Sequence, residues 1–269
     1  MNEPVLVRAL GQLQSLGDRL VVVGGSAHRL FPSHELGAAP PWELLTTEDV
    51  DVAARRDLEL THANGDEILT ALRTAGFEEA IAGAEHASHR YVLPGTEGYL
   101  EFIAPRTGSG QKRDGTSITA LRFGGVVAEP LPDVDALLHE PWTLTLEEGV
   151  DVWVVNPIAY LVQKLLVLPE RRTLAKRAKD LLYVYDTLVV FNARLADLRH
   201  RSSTLCPPLT RKQRTRLQRS LERFTSDPTD DHREAASLAA SYRDRPPTPE
   251  AIARALGRAL PALLRISDG

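Results

Sequence analysis

At Asn156-Pro157 the hydrophobic pattern of this chain changes period, and that switch limits the folds open to it. Before it, short apolar runs bounded by Gly and Pro read as strands, with a few helical stretches between them. After it, apolar residues return every three or four positions, which is the pattern of amphipathic helices. The chain is therefore expected to be α+β, with its strands in the first half and a helical C-terminal half. Its 269 residues, 43% hydrophobic and 25% charged, are enough for one large domain or two small ones.

The most informative stretch in the first half is Thr47-Glu48-Asp49-Val50-Asp51-Val52. Side chains alternate across a strand, so Asp49 and Asp51 leave on one face while Val50 and Val52 enter the core. Two adjacent carboxylates repel each other unless something positive sits between them. They are either a solvent-facing strand edge or oxygen ligands for a hard divalent cation. Upstream, residues 19–23 read as a buried strand that runs directly into Gly24-Gly25-Ser26 and a short helix over 27–31. Glycines there allow a ligand close to the backbone, and Ser26 could donate to a phosphate or cap the helix. A tight turn with a capping serine is the plainer account. Residues 32–46, with Gly37 and Pro40-Pro41, form a loop long enough to rim a site.

Val5, Leu6, Ala9, Leu10, Leu13 and Leu16 predict an opening helix that ends at Gly17. Arg55, Arg56 and Asp57 follow the aspartate strand, and a helix is predicted over 63–75 with Gly76 after it. Further strands are predicted over 77–82, 88–93, 99–103, 120–127, 142–146 and 152–155, with a short helix over 134–139. In the 99–103 strand Glu101 lies between Leu100 and Phe102, an acid whose burial without a partner would be costly. Three acids on neighbouring strands could hold one or two Mg2+ ions. The Gly-rich loop over 107–115, with Lys112 and Arg113, reads as solvated but could meet phosphate or RNA.

Pro157 suits a first helical turn, and Lys164 is the only charge between Val152 and Leu168. It is either a lysine reaching past an apolar surface to water or one reaching to a triphosphate. A second helix is predicted over 173–193, carrying Lys176 and Asp180 at a four-residue step that suits a surface ion pair. Arg201-Ser202-Ser203 and Pro207-Pro208 read as a linker. Three more helices follow over 210–223, 231–242 and 249–264. The first of them carries Arg211, Lys212, Arg214, Arg216, Arg219 and Arg223, a solvated charged face or a nucleic-acid contact.

Net charge is −4, so no global basic field draws nucleic acid, and RNA binding would need a local patch. The single Cys206 excludes an internal disulfide framework and a multi-cysteine zinc site. No basic-then-apolar leader and no bilayer-length apolar run is present, so a cytoplasmic location without a membrane partner is expected.

Together, Gly24-Gly25-Ser26 after a strand, Asp49-x-Asp51 on the next and Glu101 inside a later one resemble the polymerase-beta-type nucleotidyltransferase superfamily. Lys164, Arg172 and the run from Lys176 through Asp180 to Asp186 look like the helical motifs of AbiEii and MenT-like nucleotidyltransferases within it. The resemblance covers roughly 15–195. It implies a mixed-sheet nucleotidyltransferase core over 1–156, a helical part completing the nucleotide cleft over 157–200 and a helical subdomain over 201–269. It also implies the site: Asp49, Asp51 and Glu101 as ligands to Mg2+, two ions in number, and Gly24, Gly25, Ser26 and Thr47 around the phosphates. Lys164, Lys176 and Asp180 would complete the nucleotide site, with Lys164 on the triphosphate.

The implied reaction is transfer of a nucleoside monophosphate from an NTP to an acceptor hydroxyl, with pyrophosphate leaving. Toxin-like helices imply RNA, in particular a tRNA end, as acceptor, and a cognate antitoxin as partner. The alternatives are a small-molecule or protein hydroxyl, or a module of this fold that binds nucleotide without catalysis.

Overall fold

The computed structural model describes residues 3–45, 47–55, 66–82, 88–106, 108, 120–146 and 149–264. Arg56, Asp57, the glycine-rich loop bearing Lys112 and Arg113, and the first residues of the helix expected over 63–75 lie outside the described residues. The chain divides into two compact units, one of residues 1–27 and 46–155, the other of 28–45 and 156–269.

Among the described residues the first unit holds nine strands in one sheet. They are β1 (Leu20–Val23), β2 (Asp49–Ala54), β3 (Glu78–Ala82), β4 (Ser88–Val92), β5 (Tyr99–Pro105), β6 (Leu121–Phe123), β7 (Val126–Leu131), β8 (Trp142–Thr145) and β9 (Asp151–Val154). The main order is β3-β4-β5-β2-β1-β9-β8, with β7 also on β5 and β6 on β7. β2 runs parallel to β5 and β1 parallel to β9, while β1–β2 and β4–β5 are antiparallel, so the sheet is mixed as expected. All of β1 is buried, which suits an unbroken Leu-Val-Val-Val run in a central strand. In β2 the alternation holds: Val50 and Val52 are fully buried, whereas Asp49 and Asp51 are partly open. Helix α1 (Glu3–Leu13) buries Val5, Leu6, Ala9, Leu10 and Leu13, and Gly17 turns the chain into β1 with a φ of 56°.

One strand expectation needs correcting. The run over 120–127 is a hairpin of β6 and β7 around Gly124-Gly125. Both glycines have positive φ, 53° and 80°, as a two-residue hairpin turn demands. Helix α3 (Glu67–Thr74) packs onto that turn, with the Leu69 N–H donating to the Gly124 carbonyl at 2.9 Å. A Cβ on Gly124 would sit 2.7 Å from the Ile68 side chain. A short helix, α4 (Val134–Leu137), follows β7.

Helix α2 (Gly24–Leu30) follows β1 without a connecting residue. The second unit adds α5 (Pro157–Val167), α6 (Leu174–Val190), α7 (Leu195–Leu205), α8 (Arg211–Phe224), α9 (Asp230–Ala240) and α10 (Pro249–Leu263). The Asn156 carboxamide accepts from the Ala159 N–H at 2.9 Å and caps α5, with Pro157 in the first turn. Thr173, Thr210 and Thr248 cap α6, α8 and α10 in the same way. The linker expected at Arg201-Ser202-Ser203 is instead the last turns of α7. There Leu198 and Leu205 are buried seven residues apart, a stripe too sparse to stand out among Arg, His and Ser.

Ion pairs on two buried carboxylates tie this unit together. Arg243 and Asp186 pair with both side chains fully buried. Asp231 accepts from Arg177 and Arg223 at 2.6 Å each. Residues 28–45 pack within this unit: Leu36 is buried, the Ala38 N–H donates to the Val190 carbonyl, and Trp42 stacks on Tyr185. Among the described residues no helix is long and apolar enough to cross a membrane.

Candidate active site

Pairing of β2 with β5 decides which acids meet. In the parallel register Asp49 stands beside Tyr99 and Asp51 beside Glu101, so all four project from the same face. Carboxylate oxygens of Asp49, Asp51 and Glu101 all lie within 4.8 Å of one another, each partly exposed. Two oxygens bound to opposite sides of one Mg2+ are about 4 Å apart, so small side-chain rotations bring this set onto a cation. The donors are all hard oxygens, as that ion requires. The residues fit the ion the motif implies.

Gly24 is shaped by the same cluster. Its φ is 63°, and a Cβ there would lie 2.0 Å from Asp51 Oδ2. Glycine is thus needed both for the left-handed turn out of β1 and for the carboxylate that packs on it. α2 begins at Gly24, so Ser26 lies within its first turn and does not cap it. Ser26 is fully buried, and its hydroxyl donates to the Asp49 carbonyl at 3.0 Å. The Thr47 hydroxyl donates to that same carbonyl at 3.2 Å. Both hydroxyls hold the backbone from which the Asp49 carboxylate projects. Gly25 is buried beside them.

Two further residues of this face went unnoticed in the sequence. Arg90 on β4 stands opposite Glu101, and its Nε donates to Glu101 Oε1 at 3.0 Å. Its guanidinium lies 4.0 Å from the centre of the Tyr99 ring. Burial, then the Glu101 and Asp49 charges, raise the Tyr99 hydroxyl above its ordinary range. Nothing local in Ser-His-Arg-Tyr-Val marks Arg90, because its importance depends on the register of β4 against β5.

In the second unit Lys164 and Asp180 meet directly, Nζ to Oδ1 at 2.8 Å, and Arg171 Nε donates to the other Asp180 oxygen at 2.7 Å. Asp180 does not pair with Lys176. The carboxylate turns inward to Lys164, while Lys176 is exposed in the first turn of α6. Burial alone would raise the Asp180 carboxyl, but the Lys164 and Arg171 charges outweigh it and hold the group below its usual range. The Lys164 ammonium also lies 5.4 Å from the Tyr160 ring centre and 5.0 Å from that of Tyr183.

His28, fully buried, has its ring centre 4.9 Å from that of Tyr183. Among the described residues neither of its ring nitrogens has a hydrogen-bond partner. Burial first, then the Lys164 and Arg243 charges, lower its pKa to about 3. A solvated histidine titrates near 6.5, so between there and about 3 the unfolded chain holds a proton that the folded chain excludes. Stability is therefore expected to fall with acidification across that window, by up to about 1.4 kcal/mol per pH unit. Urea midpoints against pH for the wild type and His28→Leu check this: the variant's curve is expected to be flatter by that slope. Parallel curves would rule out the effect.

The basic helix α8 is partly occupied by structural ion pairs. Arg216 pairs with Glu170 at 2.7 Å and Arg223 with Asp231 at 2.6 Å, while Arg211, Lys212, Arg214 and Arg219 are exposed.

A family model described as "Nucleotidyltransferase" matches residues 5–205. No curated protein matches the chain. Among solved structures, the chain is similar to an antigenic nucleotidyltransferase-like protein from Paracoccidioides brasiliensis. That pair is 20% identical with a TM-score of 0.43, over 76% of this chain and 92% of the other. It is also similar to ANT(2")-Ia in complex with adenylyl-2"-tobramycin, at 8% identity and a TM-score of 0.42, over 83% of this chain and 99% of the other.

Proposed function

Because the chain belongs to the nucleotidyltransferase family, we propose that it transfers a nucleoside monophosphate from an NTP to an acceptor hydroxyl at the face bearing Asp49, Asp51 and Glu101. The observation that carries this reading is the convergence of those three carboxylates beside a glycine with no room for a side chain. The acceptor oxygen attacks the α-phosphorus, the bond to the bridging oxygen breaks, and pyrophosphate departs with the electron pair. The acceptor's proton passes to a carboxylate oxygen of the trio. Mg2+ held by Asp49, Asp51 and Glu101, two ions where the substrate brings a second, would stabilise charge on the attacking and leaving oxygens. Ser26 and Thr47 keep Asp49 in place, and the backbone at Gly24 and Gly25 lets the phosphates approach.

Lys164 belongs to the proposal as a phosphate contact, preset by Asp180, with Lys176 as a second. Lys164→Met leaves Asp180 with Arg171, and is expected to cost about 2 kcal/mol of stability from the lost charged hydrogen bond. If Lys164 only braced the helices, steady-state kinetics below the melting transition would be unchanged. A phosphate contact instead raises the KM for NTP.

For the acceptor we propose an RNA end, as a toxin-like enzyme with a cognate antitoxin would use. Support comes from the exposed Arg211, Lys212, Arg214 and Arg219 on α8, a local cationic patch on a slightly acidic chain. The test is incubation with each labelled NTP and Mg2+, together with total tRNA, an aminoglycoside or the protein alone. Label entering tRNA supports the RNA reading. Label on drug or protein replaces it, and NTP binding without transfer anywhere would leave a nucleotide-binding module.

A further inference from the structure

Arg90 occupies a position that the transfer reaction does not by itself explain. It stands opposite Glu101 in the β4–β5 register, its Nε on Oε1 at 3.0 Å, and remains about one-third exposed (36%). On the surface such a pair contributes little stability. Its surroundings give it another consequence. Asp49 and Asp51 are close enough to Glu101 to share a cation with it, and the guanidinium already holds one oxygen of that set. A divalent cation arriving there meets both a competitor for Glu101 and a positive charge beside its binding place. The Tyr99 ring, 4.0 Å from the guanidinium, gives Arg90 a second partner when Glu101 turns towards a cation. Arg90 can therefore release Glu101 without leaving the face.

We propose that Arg90 is a positioning residue that acts as a resident counter-charge, lowering the site's affinity for a free divalent cation so that metal is taken up together with the nucleotide's phosphates. This rests on the reading of Asp49, Asp51 and Glu101 as cation ligands. In the absence of nucleotide Arg90 neutralises part of the trio's repulsion. When an NTP arrives, the triphosphate supplies the negative charge that draws the cation in despite Arg90.

Mn2+ serves as the probe, its binding to the full chain followed by electron paramagnetic resonance without nucleotide. Arg90→Gln is expected to tighten Mn2+ binding about thirtyfold at low salt, the effect of removing one unit charge about 4 Å from a doubly charged ion in a solvated setting. Arg90→Lys keeps the charge and is expected to stay close to wild type. The gap between wild type and Arg90→Gln is expected to narrow at high ionic strength. Unchanged or weaker binding in Arg90→Gln, with Asp51→Asn abolishing Mn2+ binding to the wild-type background, overturns the role of Arg90 alone. Mn2+ binding absent from both wild type and Arg90→Gln likewise overturns the role of Arg90, whereas Mn2+ binding that is indifferent to Asp51→Asn overturns the cation-ligand reading and this proposal with it.

Discussion

Asp51→Asn is expected to slow nucleotidyl transfer about a thousandfold, the equivalent of about 4 kcal/mol of transition-state stabilisation. Asp51 is the middle of the trio: β2 places it beside Glu101 on one side and opposite Val23, the residue before Gly24, on the other. The amide keeps the shape and removes the charge, so a cation loses a ligand. Val50 and Val52, fully buried, continue to hold β2 in the sheet. Without divalent cation the variant is expected to melt at or slightly above the wild-type temperature, because one of three mutually repelling carboxylates is gone. Adding Mg2+ should raise the melting temperature of the wild type and leave that of the variant almost unmoved. Transfer assays beside thermal melts with and without Mg2+ check both halves. A variant that transfers at the wild-type rate would remove Asp51 from the chemistry.

Gly24→Ala is expected to reduce transfer by a similar factor without changing any charge. The new methyl would fall 2.0 Å from Asp51 Oδ2, well inside contact distance, on a backbone with φ of 63°. A left-handed alanine costs about 1–2 kcal/mol, and the clash can be relieved only by moving the Asp51 carboxylate or the turn. A reacting group displaced by about 1 Å loses on the order of a hundredfold in rate, and displacement of a metal ligand adds to that. The signature that separates this variant from a misfolded one is a cooperative melt lowered by only those 1–2 kcal/mol, together with weakened Mn2+ binding. Near-normal Mn2+ affinity in Gly24→Ala would mean that Asp51 does not work from the position it occupies against Gly24.

The helical half carries a parallel lesson about charge. On α6 the four-residue step from Lys176 to Asp180 suggested a surface ion pair, yet Asp180 turns inward to Lys164 and Arg171. A helix's sequence states which residues share a face; it does not state which face is covered. The same gap hid Arg90, whose partner Glu101 lies eleven residues away across a strand pair. Cationic residues on α8 were visible as a group, but only packing separates Arg216 and Arg223, which are tied to acids, from Arg211, Lys212, Arg214 and Arg219.

Local pattern was sufficient for the α+β class, for most strands and helices, for the caps and for the shared face of Asp49 and Asp51. Each depends on periodicity or on backbone preferences set within a few residues. Glu101 could be singled out from its apolar neighbours, and its membership of the motif read from resemblance. Its place beside Asp51 was decided by the parallel register of β2 on β5, a pairing of segments fifty residues apart. Tertiary structure likewise decided that Gly24 is glycine because Asp51 packs on it, that Ser26 and Thr47 hold the Asp49 backbone, and that Arg90 faces the trio. Distances between residues remote in sequence are set by how strands align and what the core excludes, and no short window of sequence contains that information.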